Sequence, residues 1–159
     1  MLPLASGRME VRGSVRSMLS IGAGTALALS GRQNVRLRYS LLGIRSMTLL
    51  DFVRDVEDFA ELGAFFDLPV GTYSPGMQSR LQFAMSTVES ADILLLDEWM
   101  GVADRDFQHK AHDRLVRFIK SNEAFIFASH NEALLAEMTE RKLHMHMGML
   151  VEGAVATST

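Results

Sequence analysis

The sequence predicts an α/β fold with a mostly parallel sheet. Two short apolar runs, residues 93–96 and 124–128, lack polar alternation, which is typical of strands buried on both faces of a parallel sheet. Amphipathic helical patterns precede and separate these runs, so helical crossovers are expected to connect the strands. With 159 residues, of which 48% are hydrophobic, the chain fits a single globular domain.

The N-terminal third predicts short strands, a loop and a helix. Residues 7–15 alternate between apolar and polar side chains, which indicates one or two short strands with a turn near Gly13. A glycine-containing loop at residues 22–24 follows. Ser30 is then a favourable N-cap for a helix.

Two later segments have strong apolar stripes. In residues 48–62, apolar side chains recur at intervals of three and four, with Thr48 as the N-cap and Gly63 as the end of the helix. The second stripe lies in residues 106–120. The apolar positions are Phe52, Val56, Phe59 and Leu62 in the first helix and Phe107, Ala111, Leu115 and Phe118 in the second.

The C-terminal part predicts a short helix and a strand pair. Ser129 is a candidate N-cap for a helix that runs to about Met138, and residues 143–151 alternate as two strands with a turn near Gly148. No run of about 18 apolar residues encodes a transmembrane helix. Cysteine is absent, which excludes disulfides and zinc–thiolate sites.

The net charge of −3 is unevenly distributed along the chain. Residues 1–50 contain seven arginines and one glutamate, whereas residues 51–159 contain nine basic and 18 acidic side chains. The arginines are spaced singly and have no interleaved aromatic residues. We therefore interpret them as a solvated face and expect no nucleic-acid partner.

Two candidate strands end in side chains that could act on a phosphate. Asp97 and Glu98 end the first strand, and His130 follows the second. Because ligands of open α/β sheets bind beyond the carboxyl ends of the strands, we expect these residues to meet there. One carboxylate could hold Mg²⁺, the other could orient or deprotonate a water, and the histidine could hydrogen-bond a terminal phosphate.

A third cluster lies at a predicted helix start. Ser74 is a favourable N-cap, Pro75 is tolerated at the first helical position, and Gly76 permits close approach of the backbone. Such a helix start suits phosphate because its N–H groups lack helical partners and the helix dipole is positive there. Taken separately, each of the three clusters also fits a purely structural role.

The order and spacing of these clusters resemble the ATP-binding subunits of ABC transporters. Residues 73–78 resemble the signature motif, residues 93–98 Walker B, residues 101–104 the D-loop, and His130 the switch histidine. The resemblance is tighter to the branch that exports O-antigen, capsule and teichoic acid polysaccharides. It is carried there by residues 19–24, 29–35, 61–63 and 67–74.

The resemblance implies a P-loop NTPase-like fold. Residues 1–159 would form a partial ATP-binding domain, with a helical signature subdomain at about residues 36–90 and a Walker B and switch-histidine core at residues 91–159. Asp97 would serve Mg²⁺, Glu98 would polarise the attacking water, and His130 would contact the γ-phosphate of ATP.

The resemblance also implies two partner proteins. In the family, two ATP-binding subunits form a head-to-tail dimer, so Ser74, Gly76, Met77 and Gln78 would reach the ATP that the second subunit holds. Asp104 would bridge the two subunits. A transmembrane permease would hold the domain at the cytoplasmic face of the membrane, where residues 36–72 would make the contact.

The phosphate loop of this family, Walker A, is not encoded. It requires Gly-x-x-x-x-Gly-Lys followed by Ser or Thr, because backbone N–H groups cradle the phosphates and the lysine neutralises them. The glycine-containing residues 22–25 have no lysine after them, and the first lysine of the chain is Lys110. We therefore expect a truncated domain whose sheet lacks the Walker A strand and its helix, leaving an exposed strand edge.

The sequence is compatible with three functional hypotheses. The first is an ATP-hydrolysing component of a polysaccharide exporter, although without Walker A the isolated chain is not expected to be active. The second is a non-catalytic module that donates its signature helix or docks on a partner. The third is a metal-binding protein, because His109 and His112 on a helix, and His144 and His146 on a strand, could each form a ligand pair.

Overall fold

The computed structural model describes residues 5–18, 24–97 and 105–152. Helices and strands alternate over residues 93–146, as the apolar pattern predicts, whereas the regular elements of residues 31–86 are all helical. The elements in chain order are β1 (Val15–Ser17), α1 (Gly31–Leu42), α2 (Leu49–Ala60), 3-10 helices at Gly63–Asp67 and Val70–Thr72, α3 (Pro75–Ser86), β2 (Ile93–Asp97), α4 (Arg105–Lys120), β3 (Ala124–Ala128), α5 (Glu132–Met138), β4 (Leu143–His146) and β5 (Met149–Glu152).

A three-stranded parallel sheet of order β1-β2-β3 confirms the predicted parallel topology. The central strand β2 pairs with β1 from Ile93 and with β3 up to Asp97, which lies opposite Ala128. Strands β4 and β5 form a separate antiparallel hairpin. Met147 and Gly148 both have positive φ at its two-residue turn, which is the conformation that tight hairpins require.

The N-terminal strand is shorter than the alternation predicts. Residues 7–14 form no strand, and β1 begins only at Val15. Asp92 accounts for this start, since its carboxylate accepts hydrogen bonds from the N–H and the hydroxyl of Ser14 at 2.6 and 2.8 Å. These bonds lower the pKa of Asp92 and hold Ser14 beside the start of β2.

Burial of the sheet differs from the prediction that both strands are covered on both faces. Leu94 and Leu96 of β2 are buried against Phe118 of α4, but Ile126 of β3 is 61% exposed. Within the described residues β3 pairs with β2 alone and therefore forms an edge of the sheet. An apolar run indicates that its side chains favour burial, whereas their actual burial depends on which elements pack over the strand.

A larger core lies among the helices. It is formed by the apolar faces of α1, α2 and α3 together with the first part of α4. All eight apolar positions predicted for α2 and α4 are buried. Because Phe107, Ala111 and Leu115 belong to this helical core and Phe118 to the sheet core, α4 joins the two parts of the fold.

The N-caps of α1, α2 and α3 agree with the sequence, whereas the end of α2 and the start of α5 differ from it. Ser30 caps α1 through a capping box with Gln33, and Thr48 caps α2. Helix α2 ends earlier than expected, because Glu61, with a φ of 52°, already adopts the left-handed conformation. Helix α5 is capped by Asn131 instead of Ser129.

We call residues 31–86, which contain α1, α2, the two 3-10 helices and α3, the helical unit. Arg32 joins three parts of this unit. Its guanidinium donates to Glu57 at 2.7 and 2.8 Å and to Asp67 at 2.7 and 3.1 Å, and lies 4.7 Å from the ring centroid of Phe66. The hydrogen bonds from Arg32 lower the pKa of Asp67. In the same way, a hydrogen bond from Lys110 of α4 lowers the pKa of Glu61.

These ion pairs predict a pH-dependent effect of replacing Arg32 by glutamine. A carboxylate whose folded-state pKa is lowered stabilises the fold above its ordinary pKa, which is 3.8 for Asp67, and loses that contribution as pH falls through the lowered value. We therefore expect R32Q to lower Tm most above pH 4 and the difference from wild type to narrow at more acidic pH. Thermal unfolding monitored by circular dichroism would measure it.

The matched control for this experiment is R54Q, which removes an exposed arginine from α2. Its Tm should follow that of the wild type at every pH. A difference between R32Q and wild type that persists unchanged through the acidic range would contradict the ionic role and leave only the packing of Arg32 on Phe66.

Candidate functional site

Two of the predicted site residues lie at the carboxyl edge of the parallel sheet. Asp97 is the last residue of β2 and is exposed, and its partner in the register is Ala128, the last residue of β3. His130 follows Ala128 by two residues and is also exposed. Parallel pairing therefore directs Asp97 and His130 to the same edge of the sheet, where the sequence predicts them.

The turn after β3 is held by local hydrogen bonds. The Ser129 hydroxyl accepts from the N–H of Asn131 at 3.1 Å. The Asn131 side chain in turn accepts from the N–H of Leu134 at 3.1 Å and so caps α5. His130 therefore lies in the turn between β3 and α5, next to the side chain that caps the helix.

The start of α3 has the geometry that its sequence predicts. Ser74 is the N-cap, and its hydroxyl accepts from the N–H of Met77 at 3.2 Å. Pro75 occupies the first helical position and has no N–H to donate. A side chain at Gly76 would meet only Ser74 Oγ, at 3.9 Å, so the space beside the Gly76 backbone is open.

Two further predicted residues of this cluster face inward. The Met77 side chain packs against the helical core. The Gln78 amide lies 3.5 Å from the carbonyl oxygen of Val70 and 3.4 Å from that of Tyr73. In this structure both side chains support the start of α3, and the parts that face outward are the Ser74 hydroxyl and the Gly76 backbone.

Tyr73 is an anchor that the sequence alone does not reveal. Its ring is buried, which raises the pKa of the phenol, and its hydroxyl donates to the carbonyl of Phe65 at 2.6 Å. The preceding backbone is held as well, since the N–H groups of Val70 and Gly71 donate to Leu29 and Leu27. The start of α3 therefore rests on a rigid support.

The remaining candidates have different outcomes. Glu98 and Asp104 lie outside the described residues. Of the histidines considered as metal ligands, His112 lies 3.2 Å from a carboxylate oxygen of Glu137. In the part of the chain that the structure describes, no group of three or more His, Cys, Asp or Glu side chains is placed to hold a metal ion.

The carboxyl edge of the sheet and the start of α3 each offer groups that can bind part of a phosphate ligand. An exposed carboxylate at a strand end can bind Mg²⁺, which proteins hold through one or two carboxylates together with substrate phosphates. The start of α3 offers a hydroxyl and an open backbone, which suit an anion. Helix α3 packs on α1 and α2, so this part belongs to the helical unit and Asp97 and His130 belong to the sheet.

Two similar solved structures come from ABC proteins. One, a dimeric ATP-binding cassette in a post-hydrolysis state with ADP and Pi bound, matches with a TM-score of 0.62, 18% identity, 87% of this chain and 62% of that chain. A second, an ABC transporter in an inward-facing conformation, matches with a TM-score of 0.64, 17% identity and 94% of this chain. The chain therefore shares the fold of these two chains over 62% of the length of each, and its α/β architecture is a partial P-loop NTPase-like fold.

The sequence relatives define the branch of ABC ATPases. The O-antigen export system ATP-binding protein RfbE of Yersinia enterocolitica is 38% identical over 150 residues, covering 94% of this chain and 63% of RfbE. The teichoic acids export ATP-binding protein TagH of Enterococcus faecalis is 36% identical over 148 residues, covering 93% of this chain and 33% of TagH. The resemblance to the ATP-binding proteins of polysaccharide-export ABC transporters is confirmed.

The chain spans less than two thirds of the length of these ABC relatives. No protein-family model matches it.

Among the described helices, the longest has 16 residues, and none has both the length and the apolar character needed to cross a bilayer.

Proposed function

We propose that this chain is the ATP-binding component of an ABC transporter that exports a polysaccharide. The names of RfbE and TagH support the transport of a cell-surface glycan, and the fold supports nucleotide binding. The chain would act at the cytoplasmic face of the membrane, with a transmembrane permease and a second ATP-binding subunit as partners. ATP hydrolysis would drive transport.

The observation that carries this proposal is the register of β2 with β3. It aligns Asp97 with Ala128, so that a carboxylate and a histidine leave the sheet at one edge. ATP with Mg²⁺ supplies the phosphoanhydride whose hydrolysis releases free energy. We assign to Asp97 the binding of Mg²⁺, to Glu98 the polarisation of the attacking water, and to His130 a hydrogen bond to the γ-phosphate.

The start of α3 would act on nucleotide held by the second subunit. The Ser74 hydroxyl can donate a hydrogen bond to a phosphate, and the open Gly76 backbone allows close approach. Met77 and Gln78 would keep the first turn in place, since their side chains contact the core and the carbonyls of the preceding turn. Asp104 is assigned to the contact between the two subunits.

The proposed division of the chain follows these roles. The helical signature subdomain would span about residues 36–90. Residues 91–159 would form the core with Walker B and the switch histidine. Exposed leucines of the helical part, among them Leu41 at 71% and Leu50 at 58% exposure, are suited to contact a membrane subunit.

A second candidate function is a non-catalytic module. The observation that favours it is the absence of a Gly-x-x-x-x-Gly-Lys sequence from these 159 residues, since that loop is the main phosphate cradle of such enzymes. In this alternative the chain would contribute the start of α3 to a partner's nucleotide, or dock on a partner, without holding nucleotide itself.

Titration of the purified chain with ATP tests the proposal. We expect binding that depends on Mg²⁺ and that D97N weakens about tenfold, the equivalent of roughly 1.4 kcal/mol. The reason is that an amide replaces the carboxylate that would bind the ion. Isothermal titration calorimetry with and without Mg²⁺ measures both effects.

The matched control is D113N, because Asp113 is an exposed aspartate on α4, away from the sheet edge. Its affinity for ATP should equal that of the wild type. ATP binding that is indifferent to Mg²⁺ and to D97N would contradict the role of Asp97. A complete lack of binding would favour the non-catalytic module.

A further inference from the structure

The antiparallel hairpin of β4 and β5 carries three side chains that can bind a metal ion and that no role assigned above uses. Its register places His146 opposite Met149 and His144 opposite Val151. Residues opposite each other share a face of the sheet, and so do alternate residues along one strand. His144, His146 and Met149 therefore lie on the same face of the hairpin, and we call them the hairpin cluster.

The spacing of the hairpin cluster suits a single small ion. The Cβ atoms of directly opposite residues such as His146 and Met149 are about 5 Å apart in an antiparallel pair. His144 is two residues before His146, which corresponds to about 7 Å along a strand. Imidazole and thioether groups lie several bonds beyond Cβ, so all three can reach one point above the sheet by rotating about their own bonds.

The turn of the hairpin fixes this register. Met147 and Gly148 form a two-residue turn in which both have positive φ, the conformation that keeps the flanking residues paired. A slip of one residue would carry the histidines to one face and Met149 to the other. The turn therefore determines which methionine shares a face with the two histidines.

The hairpin cluster is accessible from solution. Both histidines are exposed, and Met149 is 65% exposed. Among the described residues, neither His144 nor His146 has a side-chain hydrogen bond or ion pair, whereas His112 lies 3.2 Å from a carboxylate oxygen of Glu137. Methionine is usually a buried residue that fills gaps in a core. At 65% exposure Met149 contributes little packing, so its sulfur is available to a ligand.

The donor set of two imidazoles and one thioether indicates which class of ion would bind. Thioether sulfur is a soft ligand that selects Cu(I), and imidazole also suits copper. Structural zinc sites instead use thiolates, imidazoles and carboxylates, most often four of them, whereas Mg²⁺ and Ca²⁺ require oxygen ligands. The histidines alone form only a pair, and the thioether supplies a third ligand that favours a soft monovalent ion.

We propose that the hairpin cluster binds Cu(I), with one nitrogen of His144, one nitrogen of His146 and the sulfur of Met149 as ligands. The sequence identifies the histidine pair, and the register of β4 with β5 adds the third ligand from the other strand. A bound ion would join the two strands and stabilise the hairpin, because it binds the folded chain and not the separated strands. This site is independent of the proposed function.

The first test follows the methionine methyl groups of the untagged full chain, labelled with ¹³C at these methyls. Ag(I) serves as the probe, because it shares the soft character of Cu(I) and is not redox-active under these conditions. We expect the Met149 methyl resonance to shift saturably, and that of Met145 to stay unchanged, because Met145 lies on the opposite face of the hairpin. A shift of Met145 equal to that of Met149 would contradict the inference.

The second test compares variants by competition for Cu(I) with the chromophoric chelator bicinchoninate, under anaerobic, reducing conditions. Replacing Met149 by leucine removes the sulfur and nearly conserves the volume, so the hairpin should keep its register. We expect M149L to weaken Cu(I) binding about tenfold and H146Q to weaken it at least as much. The matched control is M145L, because Met145 is 67% exposed on the other face, and its affinity should equal that of the wild type.

Three results of the competition would overturn the inference. Equal losses in M145L and M149L would mean that any exposed thioether of the hairpin binds the ion. A loss in M147L without one in M149L would place the third ligand in the turn. Displacement of Cu(I) by an equal concentration of Zn²⁺ would leave only a histidine pair. None of these results bears on the ATP titration of D97N, so the proposed function is tested separately.

Discussion

Replacing Phe52 by alanine should lower the free energy of unfolding by about 3–5 kcal/mol, the usual cost of removing a buried phenylalanine. Phe52 has no exposed surface and belongs to the core shared by α1, α2 and α3. Its ring also packs edge-on against Tyr39, with 5.6 Å between the ring centroids. The substitution removes this contact and leaves a cavity that the surrounding helices can fill only in part.

Urea unfolding followed by circular dichroism would measure the effect of F52A. The matched control is L50A on the same helix, because Leu50 is 58% exposed. Its free energy of unfolding should stay within about 0.5 kcal/mol of wild type. If F52A and L50A cost the same, the helical unit would not have the packed core that the structure shows.

The second large effect is expected at Gly31, the first residue of α1. A side chain there would lie 2.5 Å from Tyr73 Oη and 3.0 Å from both the ring and the carbonyl oxygen of Phe66. These neighbours cannot move freely, since the Tyr73 hydroxyl is bonded to Phe65. We expect G31A to cost about 1–3 kcal/mol, the range for overpacking a well-filled core.

Gly76 provides the matched control for G31A, because it also lies in the first turn of a helix. A side chain at Gly76 would meet only Ser74 Oγ at 3.9 Å, and its backbone has no positive φ. G76A should therefore be neutral or stabilise the fold by about 0.4–1 kcal/mol, because alanine restricts the unfolded chain. If G31A proved neutral, Tyr73 would not be the rigid anchor of α3 inferred from its contacts.

Local patterns predicted most elements of the fold because helices and strands impose their periods on the sequence. The stripe from Phe107 to Phe118 became the buried face of α4, and Ser30, Thr48 and Ser74 cap the helices that they were expected to cap. Where local chemistry offers two solutions, prediction was less reliable. Asn131 competes with the neighbouring Ser129 for the cap of α5.

The relation of Asp97 to His130 was also predictable, because it requires only that two apolar strands run parallel and pair in register. The roles of Ser74, Asp97 and His130 in binding nucleotide stay predictions. Burial of β3 was predicted wrongly, since Ile126 is exposed. A run of apolar side chains indicates that these residues favour burial. Whether a strand is in fact buried depends on which elements, distant in the chain, pack over it.

Periodicity, capping residues and strand-end acids were therefore enough to establish the class of fold, the sites of its helices and the edge at which its candidate site lies. These features depend on neighbours within a few residues along the chain. Only the folded chain shows that the Nε of Arg38 is buried without a partner among the described residues, and that the Tyr73 hydroxyl is held beneath α3 by the carbonyl of Phe65. Solvent access and the lack or presence of a partner are set by segments that folding brings together from far apart, and no local pattern encodes them.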